Sequence, residues 1–279
     1  MKAARYARPS QLGDALAILG AGGFSVLAGG TDFYPARVGK PVDVDVLDIT
    51  CIEELRGISV DAGAVRIGAL ATWSDLQDAD LPPVFDGLRA AAREVGGMQI
   101  QNAGTLAGNL CNASPAADGV PPLLALDADV ELMASGATRR LPLRDFVLGN
   151  RKTARAPNEL LVAVHIPAWG ARARGSFQKL GQRRYLVISI VMVAASIGLD
   201  AQGRIARCGL AVGACSAAAQ RLDALEASLI GVRASDAAAM AVSEHLSDLT
   251  PIDDVRGSGA YRRDAALTLL RRAIAQAVA

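Results

Sequence analysis

The sequence has little of what most metal and acid–base chemistry needs. Among 279 residues there are two histidines, His165 and His245, and neither stands in a recognisable ligand or triad motif. The four cysteines, Cys51, Cys111, Cys208 and Cys215, are scattered. Zinc and iron–sulfur sites usually set at least two cysteines about two to four residues apart, and no pair here is that close. The four read as buried thiols in a reducing cytoplasm, on a chain that holds no metal of its own.

Other absences narrow the class further. Charge of one sign is missing: 29 basic against 28 acidic side chains leave a net +1, which excludes an electrostatic nucleic-acid footprint. Aromatic residues make up 4% while 51% of the chain is hydrophobic, so Ala, Val, Leu and Ile must build the interior. No apolar run is long enough to span a membrane, which takes about 20 residues. The most apolar stretch, 185–199, is interrupted by Ser189 and Ser196. The N-terminus, MKAARYARPSQLGDALAILG, lacks the apolar block of a signal peptide. The expectation is a soluble, cytoplasmic protein, long enough for two domains.

What is present reads as mixed helix and strand. Ser10 is placed to cap a helix on which Leu12, Leu16 and Leu19 recur. Strands follow at 24–28 and 42–49, the second alternating Val42, Val44 and Val46 with Asp43 and Asp45. Another strand covers 65–69. Thr72 and Asp75 have capping-box spacing, and a helix covers 83–95. Pro121 and Pro122 suit the first turn of a helix through Leu126. Strands are expected at 130–134, 138–141 and 160–166.

Pro167-Ala168-Trp169-Gly170 marks the best domain boundary. Beyond it, 185–199 and 204–212 read as strands joined by a hairpin at Asp200-Ala201-Gln202-Gly203. The β-branched residues of 185–199 favour a buried strand. Helices are expected over 217–230, 235–249 and from Ser258 onward. The last places Leu267, Leu270, Ile274 and Val278 on one face, with Arg262, Arg263, Arg271 and Arg272 largely outside it.

Two small-residue loops are the candidates for chemistry. The first, Leu27-Ala28-Gly29-Gly30-Thr31-Asp32, follows a strand. Its glycines let backbone N–H groups approach a phosphate, and Thr31 adds a hydroxyl. The plain alternative is a strand-to-helix turn capped by Thr31 or Asp32. The second loop, Asn102 to Asn109, brackets a bend between Thr105 and Asn109 and continues through Cys111-Asn112-Ala113-Ser114-Pro115 to Asp118. Asp118 reads as a helix cap, a ligand contact, or both. Two such loops suit a ligand with two phosphates, such as a dinucleotide. The Rossmann alternative fails: Gly20-Ala21-Gly22-Gly23-Phe24-Ser25 follows a helix and leads into a strand, the reverse of that fingerprint.

These loops resemble those of the FAD-binding subunit of the molybdenum hydroxylases, the xanthine dehydrogenase and carbon monoxide dehydrogenase family. Ala28-Gly29-Gly30-Thr31-Asp32 is similar to the family's first pyrophosphate loop. Residues 101–109, 113–118 and 122–124 are similar to its R-N-x-G-T-I-G-G-N, A-S-P-x-S-D and P-x-L patterns, with Gln101 in place of Arg and Ala107 in place of Gly. Residues 256–263 resemble its R-x-S-x-x-Y-R-R segment.

The resemblance implies an α+β chain in two parts. Residues 1–168 would form a two-lobed FAD-binding domain of the vanillyl-alcohol oxidase (PCMH) type, with lobes of about 1–57 and 58–168. Residues 169–279 would form a smaller domain of antiparallel sheet and helices. FAD would lie extended between the parts. Ala28, Gly29, Gly30, Thr31 and Asp32, with Thr105, Gly108 and Asn109, would hold the pyrophosphate region. Asp118 would accept hydrogen bonds from the flavin nucleotide, and Leu161 would pack on the adenine. Lys179 would lie near the isoalloxazine, where a cation raises the flavin potential; its plain alternative is a solvated lysine on a strand edge. Tyr185 reads as core packing, with shielding of a flavin face as the other option. Trp73 and Trp169 read as structural, and His165 as an exposed or satisfied strand residue.

The implied function is electron transfer without a catalytic residue on this chain. A large partner subunit would carry a molybdenum–pterin centre and a small one two 2Fe–2S clusters, as a heterotrimer or its dimer. A self-sufficient flavin oxidase or reductase, and a non-catalytic assembly protein, are the competing readings.

Overall fold

The computed structural model describes residues 4–279, which form sheets of three, five and four strands and one two-stranded hairpin. The first lobe holds β1 (Tyr6–Ala7), α1 (Leu12–Gly20), β2 (Phe24–Leu27) and β3 (Asp45–Asp48). Its three strands are parallel in the order β1-β3-β2, so the Gly29-Gly30 loop leaves from the carboxyl end of β2. Helix α1 buries Ala15, Leu16 and Leu19 as its periodicity predicts. Its N-cap is Gln11, with no side-chain cap, so Ser10 does not play the expected role. β3 is shorter than 42–49 because the chain enters the sheet only at Asp45, where its carboxylate binds the Arg5 backbone and guanidinium.

The second lobe is a five-stranded antiparallel sheet. Its strands are β4 (Ile58–Asp61), β5 (Ala64–Gly68), β6 (Asp129–Ala134), β7 (Ala137–Pro142) and, after a small hairpin of β8 (Val147–Gly149) and β9 (Lys152–Thr153), β10 (Leu160–Ile166). The order is β4-β5-β10-β6-β7. Helices α2 (Trp73–Asp78), α3 (Asp86–Glu94), α4 (Met98–Ala103), α5 (Leu106–Asn112), α6 (Val120–Ala125) and α7 (Leu143–Phe146) connect these strands. The Thr72/Asp75 capping box forms in full. His165 is satisfied by Glu131, its Nε2 lying 2.5 Å from the carboxylate.

The C-terminal domain is a sheet of β11 (Ala173–Leu180), β12 (Val191–Leu199), β13 (Ile205–Gly213) and β14 (Gln220–Arg221), backed by α8 (Asp223–Leu229), α9 (Ala234–Ala237) and the long α10 (Gly259–Ala277). The predicted hairpin joins β12 to β13, with Asp200 Oδ1 accepting from Gln202 and Arg204 backbone N–H groups. β12 is buried on both faces. Met192 and Ala194 belong to the core shared with the first two lobes, while Val191, Val193, Ala195 and Ile197 face the second core under α8 to α10. That double burial explains a sequence that is apolar on both faces apart from the buried Ser196.

Several expectations change. β12 starts at Val191, not 185, because Leu186 sits at φ 52 and takes residues 182–189 out of extended geometry. β11 has no apolar alternation, since its Gly175 and Ser176 serve close packing: a Cβ on Gly175 would lie 2.0 Å from the Val84 carbonyl oxygen. The helix expected over 217–230 gives way to β14 and α8, and that over 235–249 to α9 and two short 3-10 turns, Ala238–Met240 and Ser243–Leu246. Arg262, expected outside the packed face of α10, is 1% exposed.

Candidate functional site

The site is built where the first glycine loop meets the turn between α4 and α5. Gly30 takes φ +73, a left-handed conformation that L side chains rarely adopt, and it turns the chain back beneath Tyr34. Gly29 lies flush against the second lobe: a Cβ there would sit 1.8 Å from the Ala103 carbonyl oxygen. A Cβ on Gly104 would in turn come 3.3 Å from Thr31 Oγ1. The two loops read separately in the sequence are thus one packed junction between the lobes.

The second loop is more regular than a bend. Residues 98–103 and 106–112 are short helices, and Thr105 caps the second by accepting from the Gly108 backbone N–H at 3.0 Å. The bridge of Thr72 with Thr105, and the Leu106 N–H donated to the Ala71 carbonyl at 3.0 Å, fix this capped turn against α2. Ala107, which replaces a glycine of the family pattern, is an ordinary helical residue facing the core. Asn109 follows on α5. Its Oδ1 is buried without a hydrogen-bond partner, an arrangement that costs stability unless a ligand donor completes it.

Asp118 lies beyond, next to Gly119, where a Cβ would approach Asn109 Oδ1 to 3.0 Å. Asp118 does not cap α6, whose N-cap is Gly119 without a side-chain bond. Instead its carboxylate meets Lys179 Nζ at 2.9 Å and accepts from Ser189 Oγ at 3.2 Å. Lys179 also donates to the Glu94 carbonyl at 3.3 Å, and 6% of its side chain is exposed. The solvated-lysine alternative is therefore excluded. Burial pushes the Asp118 carboxyl up to about 6, although Lys179 and Ser189 favour its charged form. Glu94 adds to the upward push.

Taken together, Gly29, Gly30, Thr31, Thr105, Gly108 and Asn109 form one junction, and Asp118 with Lys179 continues it toward the C-terminal domain. Leu161 is different in kind: it is 2% exposed near the start of β10, paired with Leu132, and packs in the core. Tyr185 is 61% exposed, under the Arg184 guanidinium at 5.1 Å, so its core-packing reading is wrong. Trp73 is buried against Gly104 and Gly119, and Trp169 donates to the Leu126 carbonyl at 3.0 Å, so both are structural. Ser189 is a neighbour of Asp118 that the sequence does not single out; its one signal is a hydroxyl inside a β-branched run.

Among the described residues, no group of three or more His, Cys, Asp or Glu side chains is placed to hold a metal ion, and no helix is long and apolar enough to cross a membrane. Burial raises the Cys111 and Cys215 thiols to about 11 and that of Cys208 to about 12, so all three stay protonated at neutral pH.

Comparison with known proteins shows what the two parts of the chain are similar to. Residues 2–169 match the family model described as the FAD binding domain in molybdopterin dehydrogenase, and residues 176–277 match the carbon monoxide dehydrogenase flavoprotein C-terminal domain. The chain is 31% identical to the putative xanthine dehydrogenase FAD-binding subunit XdhB of Escherichia coli K12, over 99% of this chain and 96% of that protein. It is 31% identical to the carbon monoxide dehydrogenase medium chain of Afipia carboxidovorans, over 98% and 96%. In structure it is similar to reconstituted CO dehydrogenase from Oligotropha carboxidovorans, with a TM-score of 0.89, 27% identity, and 99% and 98% of the two chains covered.

Proposed function

Since the chain belongs to the FAD-binding subunits of the molybdopterin-dependent dehydrogenases, the xanthine and carbon monoxide dehydrogenase family, we propose that it is the electron-transfer flavoprotein of such a complex. FAD, when bound, supplies the redox centre that accepts and releases electrons. They would arrive from 2Fe–2S clusters on a small partner subunit, after hydroxylation at a molybdenum–pterin centre on a large one. A terminal acceptor then takes them from this subunit.

The observation that carries the reading is the unpartnered, buried Oδ1 of Asn109, the residue after Gly108 of the Thr105-capped turn, which faces Gly119. A buried acceptor without a donor, next to backbone stripped of side chains, fits a polar ligand lying along the lobe boundary. In this proposal Ala28, Gly29, Gly30, Thr31 and Asp32 cradle the pyrophosphate from one side and Thr105, Gly108 and Asn109 from the other. Asp118 accepts from the hydroxyls of the nucleotide, and Lys179 holds that carboxylate in place. Leu161, which packs in the core, takes no direct part in this proposal and would bear on the adenine end only by supporting β10.

The test is direct. The purified chain should bind about one FAD per protomer, with a yellow absorbance spectrum, and should hydroxylate no substrate alone. It should co-purify with an iron–sulfur chain and a molybdenum chain. A colourless protein that ignores added FAD would falsify the proposal.

A further inference from the structure

Helix α10 carries an arginine in a place that a surface helix does not require. The Arg262 guanidinium donates to the backbone carbonyls of Ile190 at 2.7 Å and Ala214 at 3.1 Å, and pairs with Asp254 Oδ1 at 2.7 Å. Arg256 joins the same cluster. Its Nη1 donates to the Ser189 carbonyl at 3.0 Å, while Nε and Nη2 bind Asp254 at 3.0 and 2.6 Å. Two arginines and one aspartate thus grip residues 189 and 190 from behind.

Those residues stand against the candidate site. Ser189 is fully buried, and its Oγ donates to Asp118. The Ile190 N–H donates to the Leu180 carbonyl at 2.7 Å, one residue from Lys179. Ala214 reaches the same place from the other flank: its N–H donates to the Pro115 carbonyl at 3.0 Å, on the segment that leads into Asp118. Arg262 is therefore bonded to both flanks of the Asp118–Lys179 pair without touching either residue. Removing a guanidinium from water is costly, and a well-packed apolar side chain often serves stability as well. A planar fork that holds two carbonyls at fixed angles offers geometry that such a side chain does not.

We propose that Arg262, charge-balanced by Asp254 and assisted by Arg256, is a positioning residue that fixes Ser189 Oγ on Asp118, so that this carboxylate presents one orientation to FAD. The inference rests on the FAD reading given above. The charged or titratable groups that face Asp118 are Lys179 from β11 and Glu94 from α3. Neither touches Arg262 or Arg256 directly, and S189A, which leaves both arginines in place, separates the Ser189 contact from any movement of Lys179 through Ile190 and Leu180.

FAD titration of the full-length apoprotein between pH 5 and 8 tests this, in wild type, S189A, R256Q, R262K and R262K/S189A. R262K and R256Q should each weaken FAD about five- to tenfold at pH 7, the scale of one lost charge-assisted contact. Losing a donor that favours the charged carboxylate should move the pH profile of binding up by about half a unit. S189A should reproduce that shift alone and change affinity less than about twofold when added to R262K. Wild-type affinity and pH profile in the arginine variants, or losses in S189A and R262K that multiply, would overturn the assignment. If R262K does not fold, R256Q decides, since that side chain is 25% exposed. A wild-type chain that takes no FAD overturns the FAD reading itself, whereas wild-type binding indifferent to both arginines overturns only the positioning role.

Discussion

Lys179 on β11 and Asp118 at the start of α6 meet at 2.9 Å, and this pair joins the C-terminal sheet to the lobe that carries the second small-residue loop. Burial nonetheless holds Asp118 at about 6, above the ordinary carboxylate value near 4. A carboxyl raised in the folded state contributes stability below its unfolded value and loses it as pH rises through the folded one. Between about pH 4 and pH 7 the wild-type chain should therefore lose on the order of 2–3 kcal/mol that D118N does not lose. Denaturant unfolding at the two pH values checks this, and equal pH dependence in both chains would refute it.

Asn109 should show opposite effects on the free and loaded protein. Its Oδ1 has no partner within the chain, so Asn109→Ala removes an unsatisfied buried acceptor. Relief of that group is worth about 1–3 kcal/mol, offset in part by lost packing. The apoprotein should melt at or above the wild-type temperature, while FAD affinity falls about tenfold. A variant that loses stability and keeps FAD would assign Asn109 to the fold alone.

The glycine junction makes a steric prediction. Alanine at 29 drives a methyl into the Ala103 carbonyl, and valine at 30 combines a positive φ with the Tyr34 ring 2.8 Å from its Cβ. Gly29→Ala should part the two loops and weaken FAD by about tenfold or more. Gly30→Val should weaken FAD as well while the chain stays folded, since backbone strain of this kind costs only about 1–3 kcal/mol. Far-UV circular dichroism together with FAD titration separates the two effects; unchanged affinity in both would remove this loop from the site.

How much of this was legible in the sequence depends on the distance over which each feature is determined. The Thr72/Asp75 capping box, the Asp200–Gly203 hairpin and the Gly29-Gly30 turn are set by residues a few positions apart, and the structure forms all three. The Asp118–Lys179 and Asp118–Ser189 contacts span 61 and 71 positions. Local pattern cannot couple residues so far apart, so Asp118 read equally well as a cap and Lys179 as a solvated strand residue. β11 was invisible because its glycine and serine answer to the 83–87 segment packed on it, not to strand alternation. Arg262 misled for a related reason. A charge on a helix normally marks the wet face, and it is the distant carbonyls at 190 and 214, with Asp254 nearby, that make its burial possible.

A last prediction concerns what holds the two domains together. Asp127, in the turn between α6 and β6, binds Arg207 and Arg221 of the C-terminal sheet at 2.6 Å each. Arg221 is buried and also binds Glu226, whose carboxylate accepts from the Leu210 N–H. Burial pushes Asp127 up, but the two arginines outweigh it and hold the acid below its usual range. A depressed carboxyl stabilises above its unfolded value and loses that contribution as pH falls through the folded one. Acid below about pH 4 should thus weaken this latch in wild type but not in D127A. Arg221→Met strands the buried Glu226 and should cost about 3–5 kcal/mol, lowering the melting temperature by on the order of ten degrees. Removing the charge but keeping an acceptor for the Leu210 N–H, in R221M/E226Q, should recover part of that loss, because an uncompensated ion costs more than a missing pair. FAD affinity should stay within about twofold throughout, since none of these groups touches the Asn109–Asp118 region. A melting temperature unchanged in R221M would show that packing across β13 and α6, through the flush contact of Gly209 with Ala125, holds the domains without the latch.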